Sequence, residues 1–144
     1  HAVCAGTGKR PVYVPRPRGC AVTALKWPVA PLVMNWGVRF LWQRYGRPIY
    51  ITENGQSCND RIFLDGCVHD PDRIDFLHRY LLALRAAADV RGYFHWALTD
   101  NFEWSEGYRE RFGLVYIDYV TGARIPKDSA AWYAETVRAN GENL

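Results

Sequence analysis

Residues 49–55 read Ile49-Tyr50-Ile51-Thr52-Glu53-Asn54-Gly55, and residues 90–98 read Val90-Arg91-Gly92-Tyr93-Phe94-His95-Trp96-Ala97-Leu98. Both are short runs rich in β-branched and aromatic side chains, and Asn-Gly closes the first, so each predicts a buried strand. Between them, Asp70-Pro71-Asp72 opens a helix. Asp70 is read as its cap, Pro71 suits the first helical position, and Asp72 favours the positive end of the helix dipole. Ile74, Leu77, Leu81 and Leu84 recur at spacings of three and four, giving one apolar face on a helix that runs to about Ala88. A helix joining two such strands is the crossover that a parallel pair needs.

Upstream of this unit, Val33, Trp36, Val38, Phe40, Leu41 and Tyr45 predict an amphipathic helix between Pro31 and a stop at Gly46. Downstream, Asp100 to Arg111 reads as a polar-aromatic loop. Leu114 to Tyr119 with the Thr121-Gly122 turn predicts a short hairpin, and Ser129 to Ala139 a last helix. The fold class is therefore α/β. Two central strands leave both sheet edges open, a liability in a finished domain, so the unit reads as a portion of a larger sheet. Residues 1–24, with Gly6, Gly8, Pro11, Pro15, Pro17 and Gly19, show neither helical nor strand periodicity. They are expected to form a separate basic segment ahead of a folded unit at 25–144.

The 144 residues carry a net charge of +3 and are 49% hydrophobic, which excludes a disordered tail. No apolar run approaches the roughly 18–20 residues of a membrane span. Residues 1–52 hold eight Lys or Arg and no acid, whereas residues 53–144 hold 10 basic and 15 acidic groups. Uncompensated charge of this kind can serve a nucleic-acid or membrane surface. Yet no recognised binding motif interleaves it, so neither is expected as a partner. Cys4, Cys20, Cys58 and Cys67 form no Cys-x-x-Cys pair, and no metal site is expected. The spacing allows a Cys58–Cys67 bridge, but free thiols in a reducing, cytoplasmic setting are the expected state.

Carboxylates and indoles gather where the strands end. Glu53 ends the first, Trp96 lies near the end of the second, and Asp100, Glu103, Trp104 and Glu106 follow it. Sites of parallel barrels and sheets are built at the carboxyl ends of strands, so both groups would face one site. An indole face packs on the apolar face of a sugar ring while a carboxylate accepts hydrogen bonds from its hydroxyls.

On these residues the sequence resembles the family 1 glycoside hydrolases, the retaining β-glucosidases and β-galactosidases. Ile49 to Gly55 is similar to the family's nucleophile motif. The resemblance continues through Asp65-Gly66, His69-Asp70, Arg73-Ile74-Asp75, Val90 to Phe94, Trp96-Ala97-Leu98 and Asp100 to Trp104. It extends through Gly107-Tyr108, Arg111 to Tyr116 and Pro126 to Ser129, and covers about residues 26–141. It implies the C-terminal portion of a (β/α)8 TIM barrel, about strands 7 and 8 with their helices, incomplete on its own.

The same resemblance implies that Glu53 is the catalytic nucleophile, that Glu103 binds the 4- and 6-hydroxyls of the sugar, and that Trp96 is its stacking platform. Trp104 would reach the 3-hydroxyl and Phe112 would line the pocket near C6. The implied partners are a β-glucoside or related substrate and the remainder of the barrel, with no cofactor. Retaining hydrolysis needs a second carboxyl about 5–5.5 Å from the nucleophile. The family carries it in an Asn-Glu-Pro motif that these 144 residues lack. Two other readings follow. One is a non-catalytic carbohydrate-binding remnant using Trp96, Glu103, Trp104 and Phe112; the other is a nucleic-acid role for the basic segment. His69, His78 and His95 are assigned no catalytic role.

Overall fold

The computed structural model describes residues 18–144 together with the backbone of Cys4–Ala5 and Val12–Tyr13. These two short strands, β1 (Cys4–Ala5) and β2 (Val12–Tyr13), pair antiparallel. The run Pro15-Arg16-Pro17 lies outside the described residues. Closer to the body, Val22 bridges to Pro28, and Ala24 N donates to Ser57 O at 3.2 Å.

The elements that follow are α1 (Val33–Tyr45), β3 (Ile49–Asn54), α2 (Pro71–Arg85), β4 (Val90–His95), the hairpin β5 (Val115–Ile117) and β6 (Arg124–Pro126), and α3 (Asp128–Arg138). This is the order that the periodicities predict. β3 and β4 are parallel, with Ile49 opposite Val90, Ile51 opposite Tyr93 and Asn54 opposite His95. Gly46 ends α1 in the left-handed conformation, φ 58°, with its N–H on Trp42 O.

The core lies where α1 and α2 cover one face of the strand pair. Met34, Val38, Phe76, Leu77, Tyr80, Leu84 and Leu114 form it. Phe76 and Tyr80 stack at 3.9 Å between ring centroids, and the Tyr80 hydroxyl accepts Ala30 N at 2.9 Å.

Several expectations are corrected. α2 stops at Arg85, and β4 stops at His95 rather than Leu98. β3 is not a buried strand: Tyr50, Thr52 and Glu53 are exposed, because β4 is its only strand neighbour among the described residues. α1 buries only Met34 and Val38, while Trp36, Phe40, Leu41 and Tyr45 face outward. Asp70 makes no side-chain cap for α2. Its carboxylate instead accepts the α3 residue Ser129, from N at 2.8 Å and Oγ at 2.5 Å, and pairs with Arg73. Two helix starts are thereby tied to one buried acid.

Candidate active site

Glu53 is the penultimate residue of β3. Its carboxylate is exposed and has no hydrogen-bond partner among the described residues. The next residue, Asn54, is buried and locked to β4. Its carbonyl accepts Trp96 N at 3.0 Å, and its Oδ1 accepts the Tyr93 hydroxyl at 2.8 Å. The strand end that carries Glu53 is thus fixed by backbone and side chain while the carboxylate itself is left free. Gly55 permits the approach of the two strand ends. A Cβ there would lie 1.9 Å from the Trp96 carbonyl oxygen, so no larger residue fits without moving backbone.

Trp96 follows β4 directly, joined to Ala97 by a cis peptide. Its side chain is 36% exposed. Ala97 then pairs with the segment ahead of β5: Ala97 N donates to Phe112 O at 3.1 Å and Leu114 N to Ala97 O at 3.0 Å. Glu53, Trp96 and Phe112 are therefore brought to the carboxyl end of one strand pair. Phe112, only 4% exposed, packs against Trp27 at 6.4 Å.

Glu103 and Trp104 stand on the loop between β4 and β5. A tight turn shapes it, with Glu103 N on Gly107 O at 2.7 Å and Glu106 N on Glu103 O at 2.8 Å. Glu103 is half-buried, and Trp104 is 80% exposed. No recorded hydrogen bond joins this loop to Glu53 among the described residues. A cleft of about 490 Å³ lies beside the nucleophile candidate, lined by Val33, Met34 and residues 50–54.

Beneath these groups runs a buried network that sequence reasoning missed. Lys127 Nζ bridges Asp60 at 2.6 Å and Asp100 at 2.8 Å. Arg73 pairs with Asp60 at 2.7 Å and also with Asp70, and Arg111 pairs with Asp100 at 2.6 Å. Three cations and three carboxylates balance, which is the condition under which buried charge is tolerated. Each of these residues except Asp60 lies in a stretch that carries the family resemblance. Only their mutual pairing was hidden, because it joins positions up to 67 apart.

The three histidines lie in different surroundings. His95 Nε2 faces Phe112 O at 3.3 Å, and burial pushes the imidazole pKa down to about 4, so it is neutral near pH 7. His69 is exposed between two aspartates, and His78 lies against Trp132. Cys20, Cys58 and Cys67 are free thiols. Burial raises Cys58 to about 12, which keeps it protonated.

A parallel strand–helix–strand unit with an uncovered carboxylate and an indole at its carboxyl end is the layout of a barrel-type enzyme site. The comparisons give the family. The model described as Glycosyl hydrolase family 1 matches residues 11–142, and the chain belongs to that family. It is 44% identical over 124 residues to β-glucosidase A of Thermotoga maritima, a match covering 83% of this chain and 28% of that protein. It is 46% identical over 120 residues to a bifunctional β-D-glucosidase/β-D-fucosidase of Bifidobacterium breve, covering 77% of this chain and 26% of that one. Among solved structures, a family 1 β-glucosidase from Thermotoga maritima in complex with isofagomine lactam superposes with a TM-score of 0.85 at 41% identity. That match covers 90% of this chain and 30% of the other. The same enzyme has been solved with glucoimidazole. The chain thus spans under a third of the length of these relatives, and its fold is consistent with part of their barrel.

Proposed function

We propose that this chain supplies the nucleophile and half of the sugar-binding pocket of a retaining β-glycosidase acting on terminal β-glucosyl or related residues. β3 and β4 then correspond to strands 7 and 8 of the (β/α)8 barrel, and the other strands complete the site. The observation that carries the reading is Glu53: an uncovered carboxylate, in a family 1 chain, on a strand end whose following residue is locked in place. In the first step the Glu53 carboxylate attacks the anomeric carbon as the bond to the leaving oxygen breaks. A carboxylic acid from the remainder of the barrel gives that oxygen its proton. In the second step the same group, now a base, takes a proton from water, which displaces Glu53 from the sugar. Trp96 stacks on the ring, Glu103 accepts hydrogen bonds from the 4- and 6-hydroxyls, and Trp104 donates its N–H to the 3-hydroxyl. Phe112 backs the wall near C6.

On this reading the 144-residue chain alone turns over aryl β-glucosides poorly, because it lacks the acid. Complementation tests it. The chain is mixed with Thermotoga maritima β-glucosidase A truncated of the 28% that matches this chain, and turnover of an aryl β-glucoside is measured. The expected result is activity only in the mixture, and labelling of Glu53 by 2-deoxy-2-fluoroglucosyl fluoride in mass spectra. Glu53→Gln should abolish both. A Glu53→Gln chain that complements as well as the unmodified one, or a label on another residue, overturns the assignment. Sugar binding that survives Glu53→Gln, with no turnover by the unmodified chain even in the mixture, would favour the non-catalytic remnant.

A further inference from the structure

The loop 101–110 carries two of the proposed sugar contacts yet has little regular structure, so something must hold it. Both of its ends meet at one ion pair. Asp100 closes the entry, Arg111 the exit, and Arg111 Nη1 lies 2.6 Å from Asp100 Oδ2. The same guanidinium donates to Ile117 O at 3.0 Å. The Asp100 carboxylate also accepts Lys127 Nζ at 2.8 Å and Gly113 N at 2.9 Å, and its side chain is fully buried. The carbonyl of Arg111 in turn accepts Arg73 at 2.9 Å. The base of the loop is therefore bolted to the buried network by backbone and side chain alike.

Arg111 also reaches the body of the loop. Its guanidinium carbon lies over the Tyr116 ring, 3.9 Å from the centroid, and over the Tyr119 ring at 4.8 Å. Tyr119 donates its hydroxyl to Asn101 O at 3.2 Å and packs on Tyr108 at 4.7 Å, which meets Phe102 at 5.4 Å. Asn101 and Phe102 immediately precede Glu103. A planar cation can serve the carboxylate with its edge and the tyrosines with its face at once, which an ammonium cannot.

We propose that Arg111 is a positioning residue: through Asp100 and Tyr119 it sets where Glu103 and Trp104 stand. What that placement does for the sugar rests on the function proposed above; the placement itself does not. Two readouts separate these. Amide exchange is measured on the chain as it is. In Arg111→Ala the Glu103, Glu106 and Gly107 amides should exchange at least tenfold faster, while those of Phe76 to Leu84 in α2 change less than twofold. Arg111→Lys should restore only part of the protection. Tyr119→Leu, which spares the ion pair, should loosen the same three amides at least threefold and keeps the test alive if Arg111→Ala does not fold. Uniform acceleration across α2 and the loop in both variants, or unchanged loop amides, overturns the proposal.

The second readout uses the complemented enzyme. The ratio of kcat/KM for a β-glucoside to that for its 6-deoxy analogue should fall at least fivefold in Arg111→Lys, because a displaced Glu103 no longer rewards the 6-hydroxyl. A general defect lowers both values together, and a preserved ratio counts against the proposal. Absence of turnover when the unmodified chain is mixed with the truncated β-glucosidase would refute the function reading alone, leaving the exchange result to decide the role of Arg111.

Discussion

Two sides of the strand pair differ in what they leave unpaired. Toward α3 and the hairpin, Asp60, Asp70, Arg73, Asp100 and Lys127 have side chains no more than 2% exposed, each with an opposite charge. Toward α1 and the outer edge of β3, large aromatic side chains stand bare beside the uncovered Glu53: Trp36 is 66% exposed, Phe40 60% and Tyr50 57%. Charge is buried where the chain can answer it, and aromatic surface is left open where it cannot. An apolar face of this kind marks contact with something else, and under the proposed function that is the rest of the barrel. The paired side should therefore be sensitive to single substitutions in the chain as it is, and the open side should not.

The largest effect is expected at Lys127. Lys127→Met removes the cation shared by Asp60 and Asp100 and leaves each carboxylate with one partner instead of two. Breaking a buried pair by deleting one member costs about 3–5 kcal/mol. Urea unfolding of the chain should show a loss of that order. A loss below about 1 kcal/mol would mean that Arg73 and Arg111 suffice, and the contrast between the two sides would lose its basis.

His95 offers a graded version of the same test. Its folded pKa, lowered to about 4 by burial, lies below the ordinary value near 6.5. Between those values the unfolded chain binds a proton that the folded chain refuses, so stability is full above about pH 6.5 and falls as the pH drops toward 4. Each pH unit of that window is worth about 1.4 kcal/mol, or roughly 3 kcal/mol in all. Unfolding free energies measured from pH 7 to 4 should decline, and His95→Gln should remove much of the slope. An unchanged slope would show that His95 is wetter than its contacts with Phe112 and Tyr133 indicate.

The paired side also shows how far sequence reading reaches. The strand–helix–strand order, the Gly46 stop and the placing of Glu53 and Trp96 at strand ends follow from local chemistry, and the structure has all of them. Burial does not follow. The spacing groups Val38 with Trp36 and Phe40, yet α1 buries Val38 and turns the two rings outward, because which face finds a partner depends on what packs there. Asp70 shows the complementary failure. An aspartate before Pro71 has the signature of a cap, and only the tertiary fold reveals that Ser129 and Arg73 take its oxygens. Phe112 was assigned by resemblance as a pocket wall; its burial against Trp27 depends on a loop crossing that no local pattern encodes.

On the open side a smaller effect is expected. Trp36→Gln with Phe40→Gln replaces exposed rings on α1, so the unfolding free energy of the chain should move by no more than about 0.5 kcal/mol. Phe76→Ala, on the covered side, should cost about 3–5 kcal/mol. The double variant should instead reduce self-association in sedimentation velocity and weaken complementation by the truncated β-glucosidase. Destabilisation beyond about 1 kcal/mol would mean that α1 already has a covering partner within this chain.

The smallest effect belongs to a charged trio that lies outside the buried network. His69 sits exposed with Nδ1 2.6 Å from Asp128 and Nε2 2.8 Å from Asp65, tying the loop after β3 to the start of α3. The Asp128 and then the Asp65 hydrogen bond raise its pKa above the ordinary 6.5, while the Cys67 N–H and then His69 lower that of Asp65. A raised histidine contributes most below its unfolded pKa and loses that contribution as pH rises through the folded value. A lowered aspartate contributes above its unfolded pKa and loses it as pH falls through its folded value. The clamp is therefore strongest between about pH 4 and 6.5, and its alkaline fading runs opposite to the acid-side decline set by His95. Solvent screens all three groups, so the change should be small and salt-sensitive. An NMR titration of the His69 ring should give a midpoint above 6.5 that drops in Asp128→Asn. A midpoint at or below 6.5 would place His69 with the unpaired surface rather than with the network it adjoins.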